Sequence, residues 1–341
     1  MPATPPSLDL IASTIDKLRS RLSEIIVGQD QVIEFILIAL LARGHVLLEG
    51  VPGLAKTTLV KTLAALLDLD FARVQLTPDM LPADIVGTNV YDLNTRTFSL
   101  KKGPVFTSLL LADEINRTPP KTQSALLEAM EERQVTLDRQ SYKLPDIFMV
   151  VATQNSIEFE GTYPLPEAQL DRFMLKVKIT YPEKDAEKLM LQNWQDGKYN
   201  AAATESSGNG EGSDHKSVPT SYLTMLKPIV SVQEILDCQN SLSLVKVEES
   251  VLNYLLELVT KSRAIPDLHL GGSPRAGLNW LAAARAHAAL STQDFVTPDN
   301  IKHVAEAVLS HRLVLTPEAE LEGLTAEQVT QNLLKQIPVP R

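Results

Sequence analysis

His45-Val-Leu-Leu-Glu49-Gly50-Val51-Pro52-Gly53-Leu54-Ala55-Lys56-Thr57-Thr58-Leu-Val-Lys-Thr-Leu-Ala-Ala-Leu-Leu67 is the stretch that decides how this chain folds. An apolar run of strand length comes first, a glycine-bearing turn follows, and a helical pattern begins at Lys56. In that order the three pieces make a concave set of backbone N–H donors, and the helix dipole adds partial positive charge aimed at the same point. A polyphosphate fits there. Lys56 reaches its outer phosphates as a point charge, and the Thr57 hydroxyl completes the shell of a magnesium ion that the phosphates share. The loop departs from the usual G-x-x-x-x-G-K-Ser/Thr pattern, because Ala55 stands where the second glycine is expected. Its methyl group is small enough to lie near a phosphate, and Gly53 supplies an alternative flexible position. The competing reading of the loop alone is a plain glycine turn between a buried strand and a helix.

Ser108-Leu-Leu-Leu-Ala-Asp113-Glu114 is a short apolar run that ends in two acids, the pattern of a strand buried on both faces of a parallel sheet. In open α/β sheets ligands sit at the carboxyl ends of the strands, so acids at that edge face the bound group. Asp113 is placed to hold magnesium through water, and Glu114 to orient and polarise an attacking water. A solvated acidic turn is the ordinary alternative for an isolated Asp-Glu pair. Downstream of a phosphate loop, the pair points to nucleoside triphosphate hydrolysis.

Composition bounds the rest. With 341 residues, 44% hydrophobic and 22% charged, the chain is long enough for two cores and ordinary for a globular protein. A formal net charge of −10 argues against a surface that tracks a nucleic-acid backbone and favours protein partners. The single cysteine, Cys238, has no partner for an internal disulfide and reads as a small core residue on a helix. The opening Met-Pro-Ala-Thr-Pro-Pro-Ser lacks a basic segment followed by an apolar one, and no apolar run reaches membrane-helix length, so a cytoplasmic location is expected. The six histidines, at 45, 215, 269, 287, 303 and 311, show no metal-ligand spacing.

Along the chain the pattern predicts an α/β nucleotide-binding core over 1–182, a connecting helix and flexible loop over 183–224, and an all-helical domain over 225–341. Strands are expected at 45–49, 71–75, 108–112, 147–152 and 173–179, and helices at 8–24, 31–43, 56–67 and 119–132. Two segments, about 88–100 and 134–144, alternate apolar and polar residues as hairpins do; they read equally as sheet extensions or as partner-touching projections. The small, polar, glycine-rich stretch at 197–217 is expected to be a mobile loop without a catalytic part. Beyond it, helical periodicity at 232–241, 248–263, 275–291, 298–309 and 326–336, with no strand of comparable strength, implies a small bundle that closes as a lid over base and phosphates.

The phosphate loop and the Asp-Glu strand, together with Val150-Val-Ala-Thr-Gln-Asn155, Leu165-Pro-Glu-Ala-Gln-Leu-Asp-Arg172-Phe and Gly272-Ser-Pro-Arg275-Ala, resemble the MoxR group of AAA+ ATPases over nearly the whole chain. The resemblance implies an AAA+ core of parallel sheet between helices, with a helical lid, that binds ATP and Mg2+ and assembles as a homo-oligomer, a hexameric ring. It implies that Asn155 bridges the attacking water to the γ-phosphate, although an Asn ending a strand is also a common turn residue. By the same likeness Arg172 is the arginine finger presented to a neighbour's nucleotide, with a salt bridge to Asp171 or Glu167 as its alternative. Arg275 matches the arginine that contacts the γ-phosphate in cis; a cation at a helix N-terminus is otherwise poorly placed unless an anion faces it. Val27, Gly28 and Gln29 look like the stretch lining the adenine pocket, or else a helix-start turn with Asp30 as N-cap. The cellular role so implied is a chaperone-like motor that remodels partner proteins or assists metal insertion into them, often with a partner bearing a von Willebrand factor A domain. A nucleic-acid remodeller and a nucleotide-dependent scaffold are the alternatives; the negative charge weighs against the first, and the presence of Glu114 and Arg172 against the second.

Overall fold

The computed structural model describes residues 7–51, 53–92, 96–155, 162–196, 198 and 226–340, so that all of the glycine-rich stretch at 197–217 except Lys198 lies outside the described residues. Helix α1 (Leu8–Ile25) buries Ile11, Ile15, Leu18 and Leu22, the spacing of one helical face. Helix α2 (Asp30–Leu41) is apolar on nearly every side and is buried accordingly, with Glu34 the exception between Val32 and Leu41. There follow β1 (Val46–Glu49), α3 (Lys56–Leu67), β2 (Phe71–Gln75), a short α4 (Pro82–Val86), β3 (Gly87–Asp92), β4 (Thr97–Lys102), β5 (Leu109–Asp113), α5 (Pro120–Glu132), β6 (Gln134–Leu137), β7 (Gln140–Lys143), β8 (Met149–Gln154), α6 (Glu167–Leu170) and β9 (Leu175–Lys178).

Five of these strands form one parallel sheet in the order β2-β5-β8-β1-β9. Its side chains alternate as strand geometry requires: Leu47, Leu110 and Val150 face one core with α4 and α5, while Val46, Leu48, Leu111 and Val151 face the other with α1, α2 and α3. The register sets Glu49 opposite Gln154 and Lys178, and Gln75 opposite Asp113. One carboxyl edge therefore gathers the ends of all the motif-bearing strands. The two expected hairpins are present as separate antiparallel pairs, β3 with β4 and β6 with β7, and neither extends the main sheet. They are tied together where Asn89 donates to Asp138 (2.6 Å).

After α7 (Lys184–Gln195) come α8 (Val232–Ser241), α9 (Glu249–Ser262), β10 (Leu268–Leu270), α10 (Pro274–Leu290), α11 (Pro298–Leu309), β11 (Val314–Leu315), α12 (Pro317–Leu321) and α13 (Ala326–Gln336). Side-chain caps start five of these helices: Ser231, Ser273, Thr297, Thr316 and Thr325 each accept a first-turn N–H. Trp280 is fully buried at the bundle centre and donates to Ile301 O (2.8 Å). Cys238 sits buried on α8, and burial pushes its thiol up to about 11.

One expectation needs correction. The lid is not purely helical: β10 and β11 pair antiparallel, a ladder too short to leave a periodic signal in the sequence. The lid is fixed at two places. The buried Arg312 donates to the carbonyls of Asp171, Phe173 and Met174 just before β9, and α10 packs on α1 and α2, at the amino edge and flank of the sheet. Glu327 on α13 pairs with Lys178 (2.5 Å) at the carboxyl end of β9, where Lys178 is in register with Glu49 before the phosphate loop.

Candidate active site

Between β1 and α3 the described loop residues take up the shape the motif requires. Gly53 has a positive φ of 85° and open space where a side chain would be, and a Cβ at Gly50 would lie 2.5 Å from Ile179 O. Ala55 occupies the left-handed region, φ 55° and ψ 19°, as the residue that caps α3. An alanine there costs about 1–2 kcal/mol that a glycine would not, so the departure from the usual pattern is held by strain, not accommodated by Gly53. Leu59 N–H already bonds Ala55 O, which leaves the N–H groups of the first turn of α3 facing the loop. Lys56 donates to Gly50 O (2.6 Å), folding its ammonium back over the loop. Burial lowers its pKa, opposed by Asp113, Glu114 and Glu49. Val51, Leu54, Thr57 and Thr58 complete the described loop; Thr58 is buried into α3, and Pro52 lies outside the described residues.

Asp113 ends β5 and Glu114 follows with φ 59°, a left-handed turn that sends the two acids in different directions. Asp113 is held on both oxygens: Arg73 Nε donates to Oδ2 (2.7 Å) and the Thr153 hydroxyl to Oδ1 (3.2 Å). The same Thr153 oxygen accepts the Glu114 N–H (2.9 Å), so one hydroxyl on β8 sets both acids. Glu114 pairs with Arg117 (2.8 Å). Asn155 is buried at the carboxyl end of β8, on the same edge. The residues present thus fit a magnesium nucleotide: backbone donors and Lys56 for phosphates, Thr57 and Asp113 for the cation.

Val27, Gly28 and Gln29 lie at the start of α2. Gly28 has φ 77°, and a Cβ there would meet Ala186 at 2.7 Å and Pro182 at 3.0 Å, so this turn packs against the chain leaving β9. Gln29 is buried and donates to Thr180 O (3.0 Å). The alternative in which Asp30 caps the helix is not what is seen. Asp30 is the first residue of α2, and its carboxylate accepts from Ser23 (2.5 Å).

The two arginines lie elsewhere. His45 Nε2 donates to Met130 O (3.1 Å) just before β1, whereas Gly50 follows β1. The end of α5 is therefore at the amino edge, roughly 15 Å from the phosphate loop at about 3.3 Å per strand residue. There Glu131 meets both Arg275 and Arg172: Arg275 Nη2 bonds its Oε1, and Arg172 Nε lies 3.2 Å from its Oε2 without hydrogen-bond alignment. Arg275, expected to contact the γ-phosphate in cis, bonds Glu131 at this edge. Arg172 likewise does not use Asp171 or Glu167; Asp171 is held by Arg312 Nε (2.6 Å) and by the Ser273 hydroxyl (3.1 Å).

Comparison with known proteins gives this geometry its family. Residues 45–175 match the ATPase family associated with various cellular activities (AAA), and residues 260–333 match the AAA lid domain. The chain is 38% identical to chaperone MoxR1 of Mycobacterium tuberculosis, over 96% of this chain and 83% of that one. This chain belongs to the MoxR family of AAA+ ATPases. It is also 41% identical to the uncharacterized protein YeaC of Bacillus subtilis, over 96% of this chain and 95% of that one. A crystal structure of a candidate ATPase from Cytophaga hutchinsonii superposes with a TM-score of 0.84 at 39% identity, covering 98% of this chain and 97% of that one.

Within this MoxR-family structure the residues that motif reading missed are those joined only in space. Thr153, Arg73, Glu131 and Arg312 each act through a partner at least 40 residues away in sequence, so no local pattern marks them. The same holds for Glu34 on α2 with His287 and His303 on α10 and α11. Both Nε2 atoms lie near one oxygen, Glu34 Oε1, at 3.5 and 3.3 Å, and the rings stack at 4.1 Å. These three are the one group of possible metal ligands among the described residues. Asn300 argues against that use: its carbonyl accepts the Thr297 N–H (2.6 Å), which turns its amide to donate to His287 Nδ1 (3.0 Å). The His287 proton then sits on Nε2, the atom a metal would need. The trio is a polar latch between core and lid, with His303 raised by its bond to Glu34 and His287 lowered by burial. No helix among the described residues is long and apolar enough to cross a membrane.

Proposed function

We propose that this MoxR-family ATPase hydrolyses ATP with magnesium as a homo-oligomeric, hexameric ring, and uses the cycle to remodel, activate or assist metal insertion into partner proteins. The observation that carries the reading is the division of the site between two edges of one sheet. Phosphate loop, Asp113, Glu114 and Asn155 share the carboxyl edge, while Arg172 and Arg275 stand together at the amino edge. A second copy would bring the second set to the first, which changes the role of Arg275 from a contact in cis to one in trans.

In this reading Lys56 leaves Gly50 O for the outer phosphates, where its charge is restored against the burial that lowers its pKa. Thr57 and Asp113 would hold the magnesium of the nucleotide, which would neutralise charge on the phosphoryl group. Glu114, freed from Arg117, orients the attacking water and takes its proton, and Asn155 aligns that water. Arg172 and Arg275 of a neighbour stabilise the charge on the transferring group, an effect of roughly 10³–10⁵ in rate for such an arginine. Val27, Gly28 and Gln29 line the base pocket against Thr180 and Pro182. The aromatic pair Tyr91 and Phe98, exposed on the β3–β4 hairpin with ring centroids 5.1 Å apart, supports a protein partner; a von Willebrand factor A domain on that partner is what the family resemblance implies.

Lys56→Ala is expected to lose nucleotide binding, and Glu114→Gln to keep binding and lose phosphate release. Phosphate release at the wild-type rate by purified Glu114→Gln would refute the assignment.

A further inference from the structure

Glu131 has no part in the phosphate loop, yet it is the residue on which both outlying arginines converge. Its two carboxylate oxygens take one guanidinium each, Arg275 on Oε1 and Arg172 on Oε2. Arg172 Nε is buried without a well-formed hydrogen bond, so its guanidinium is held near the carboxylate but not satisfied by it. Arg172 also lines a cavity of about 510 Å³ together with Ser124, Glu128, Glu132, Gln134 and Thr136.

The rest of the surroundings fix the two ends of this unit. Asp171, the neighbour of Arg172 in sequence, is bonded by Arg312, which is buried in the lid, and by Ser273. Ser273 is also the N-cap of α10, accepting Ala276 N–H (3.0 Å), and Arg275 lies in that same first turn. Side-chain contacts from Arg172 to Glu131 to Arg275 and from Ser273 to Asp171 are thus joined through the backbone of the first turn of α10 and the 171–172 peptide. Two guanidinium groups left side by side repel; an anion between them holds them together at a spacing set by two oxygens of one planar group.

We propose that Glu131 is a positioning residue for ATP hydrolysis: it holds Arg172 and Arg275 as a pair, Arg275 by a hydrogen bond and Arg172 by ion pairing, with their remaining donors directed to a phosphate of the neighbouring subunit. This rests on the reading in which those arginines act in trans. Glu131 acts through the two arginines it pairs with. Its work is to fix two long side chains whose misplacement by about 1 Å can cost on the order of a hundredfold in rate.

The test is ATP turnover at protein concentrations where rings are saturated, in the full-length chain. Glu131→Ala is expected to lower kcat about 10- to 100-fold, with KM for ATP and particle mass by light scattering unchanged. Glu131→Gln, which keeps an acceptor oxygen but no charge, is expected to fall between it and wild type. Adding Glu131→Ala to the variant carrying both Arg172→Lys and Arg275→Lys should lose little more than that variant alone, because the carboxylate acts through those two arginines. Wild-type or raised kcat in Glu131→Ala, or losses that multiply in the triple variant, would overturn the proposal while leaving the arginines' role intact. Full turnover in Arg172→Ala would instead overturn the trans reading itself, and this proposal with it.

Discussion

Replacing Arg312 with alanine should destabilise the chain more than any exposed substitution in the lid. Arg312 is 4% exposed, ion-paired to Asp171 at 2.6 Å, and its guanidinium donates to the carbonyls of Asp171, Phe173, Met174 and Val308. Truncation leaves Asp171 with the Ser273 hydroxyl only, and Phe173 O with His311 only. The carbonyls of Met174 and Val308 lose this donor outright. Each buried polar group so stranded costs about 1–3 kcal/mol, and removing one member of a buried pair about 3–5 kcal/mol in total. Arg312→Lys keeps the charge but offers one compact head where a planar fork of donors is needed, so it should recover less than half of the loss. Urea unfolding followed by tryptophan fluorescence reads this directly, since Trp280 sits buried in the same bundle. The displaced lid should also cost turnover, because Asp171 adjoins Arg172. A loss under about 1 kcal/mol in Arg312→Ala, with the fold intact by circular dichroism, would refute the view that this arginine locks lid to core.

Two further outcomes follow from the described geometry. Ala55→Gly removes the left-handed strain at the cap of α3 and should stabilise the chain by up to about 1 kcal/mol after the entropy cost of glycine; a lower urea midpoint would contradict it. His45 is buried, with Nδ1 accepting Val150 N–H (2.9 Å) and Nε2 facing Met130 O, and burial lowers its pKa to about 4. A histidine whose folded value is depressed contributes stability above its unfolded value near 6.5 that is lost as pH falls toward the folded one. On the order of 3 kcal/mol should therefore disappear between about pH 6.5 and 4. Urea midpoints across that range should fall less steeply in His45→Gln; an unchanged slope would remove His45 as a cause.

Where the sequence was legible, the signal was local. The strand, loop and helix from His45 to Leu67 and the acids after Leu111 needed only neighbours in the chain, and α1, α3 and α5 showed their periodic faces plainly. The bundle helices from Val232 onward were also periodic, and several carried caps within three residues. What stayed hidden depends on distant pairs. The β10–β11 ladder has too few residues to alternate visibly. The position of the lid follows from the Arg312 and Arg275 contacts, which span 141 and 144 residues. A cation at a helix N-terminus needs an anion, and the anion beside Arg275 is Glu131, 144 residues away and invisible to a local reading.

Mixing two inactive variants tests the central claim most directly. Arg172→Ala keeps an intact phosphate loop and loses its finger, whereas Lys56→Ala keeps the finger and loses the loop, so neither alone should turn over ATP. Combined in one ring, a Lys56→Ala subunit can present Arg172 and Arg275 to the sound loop of its neighbour, and partial turnover should return in proportion to the mixed interfaces. A mixture that remains inactive, although light scattering and pull-down of a tagged variant show that the two co-assemble, would contradict a site shared between subunits.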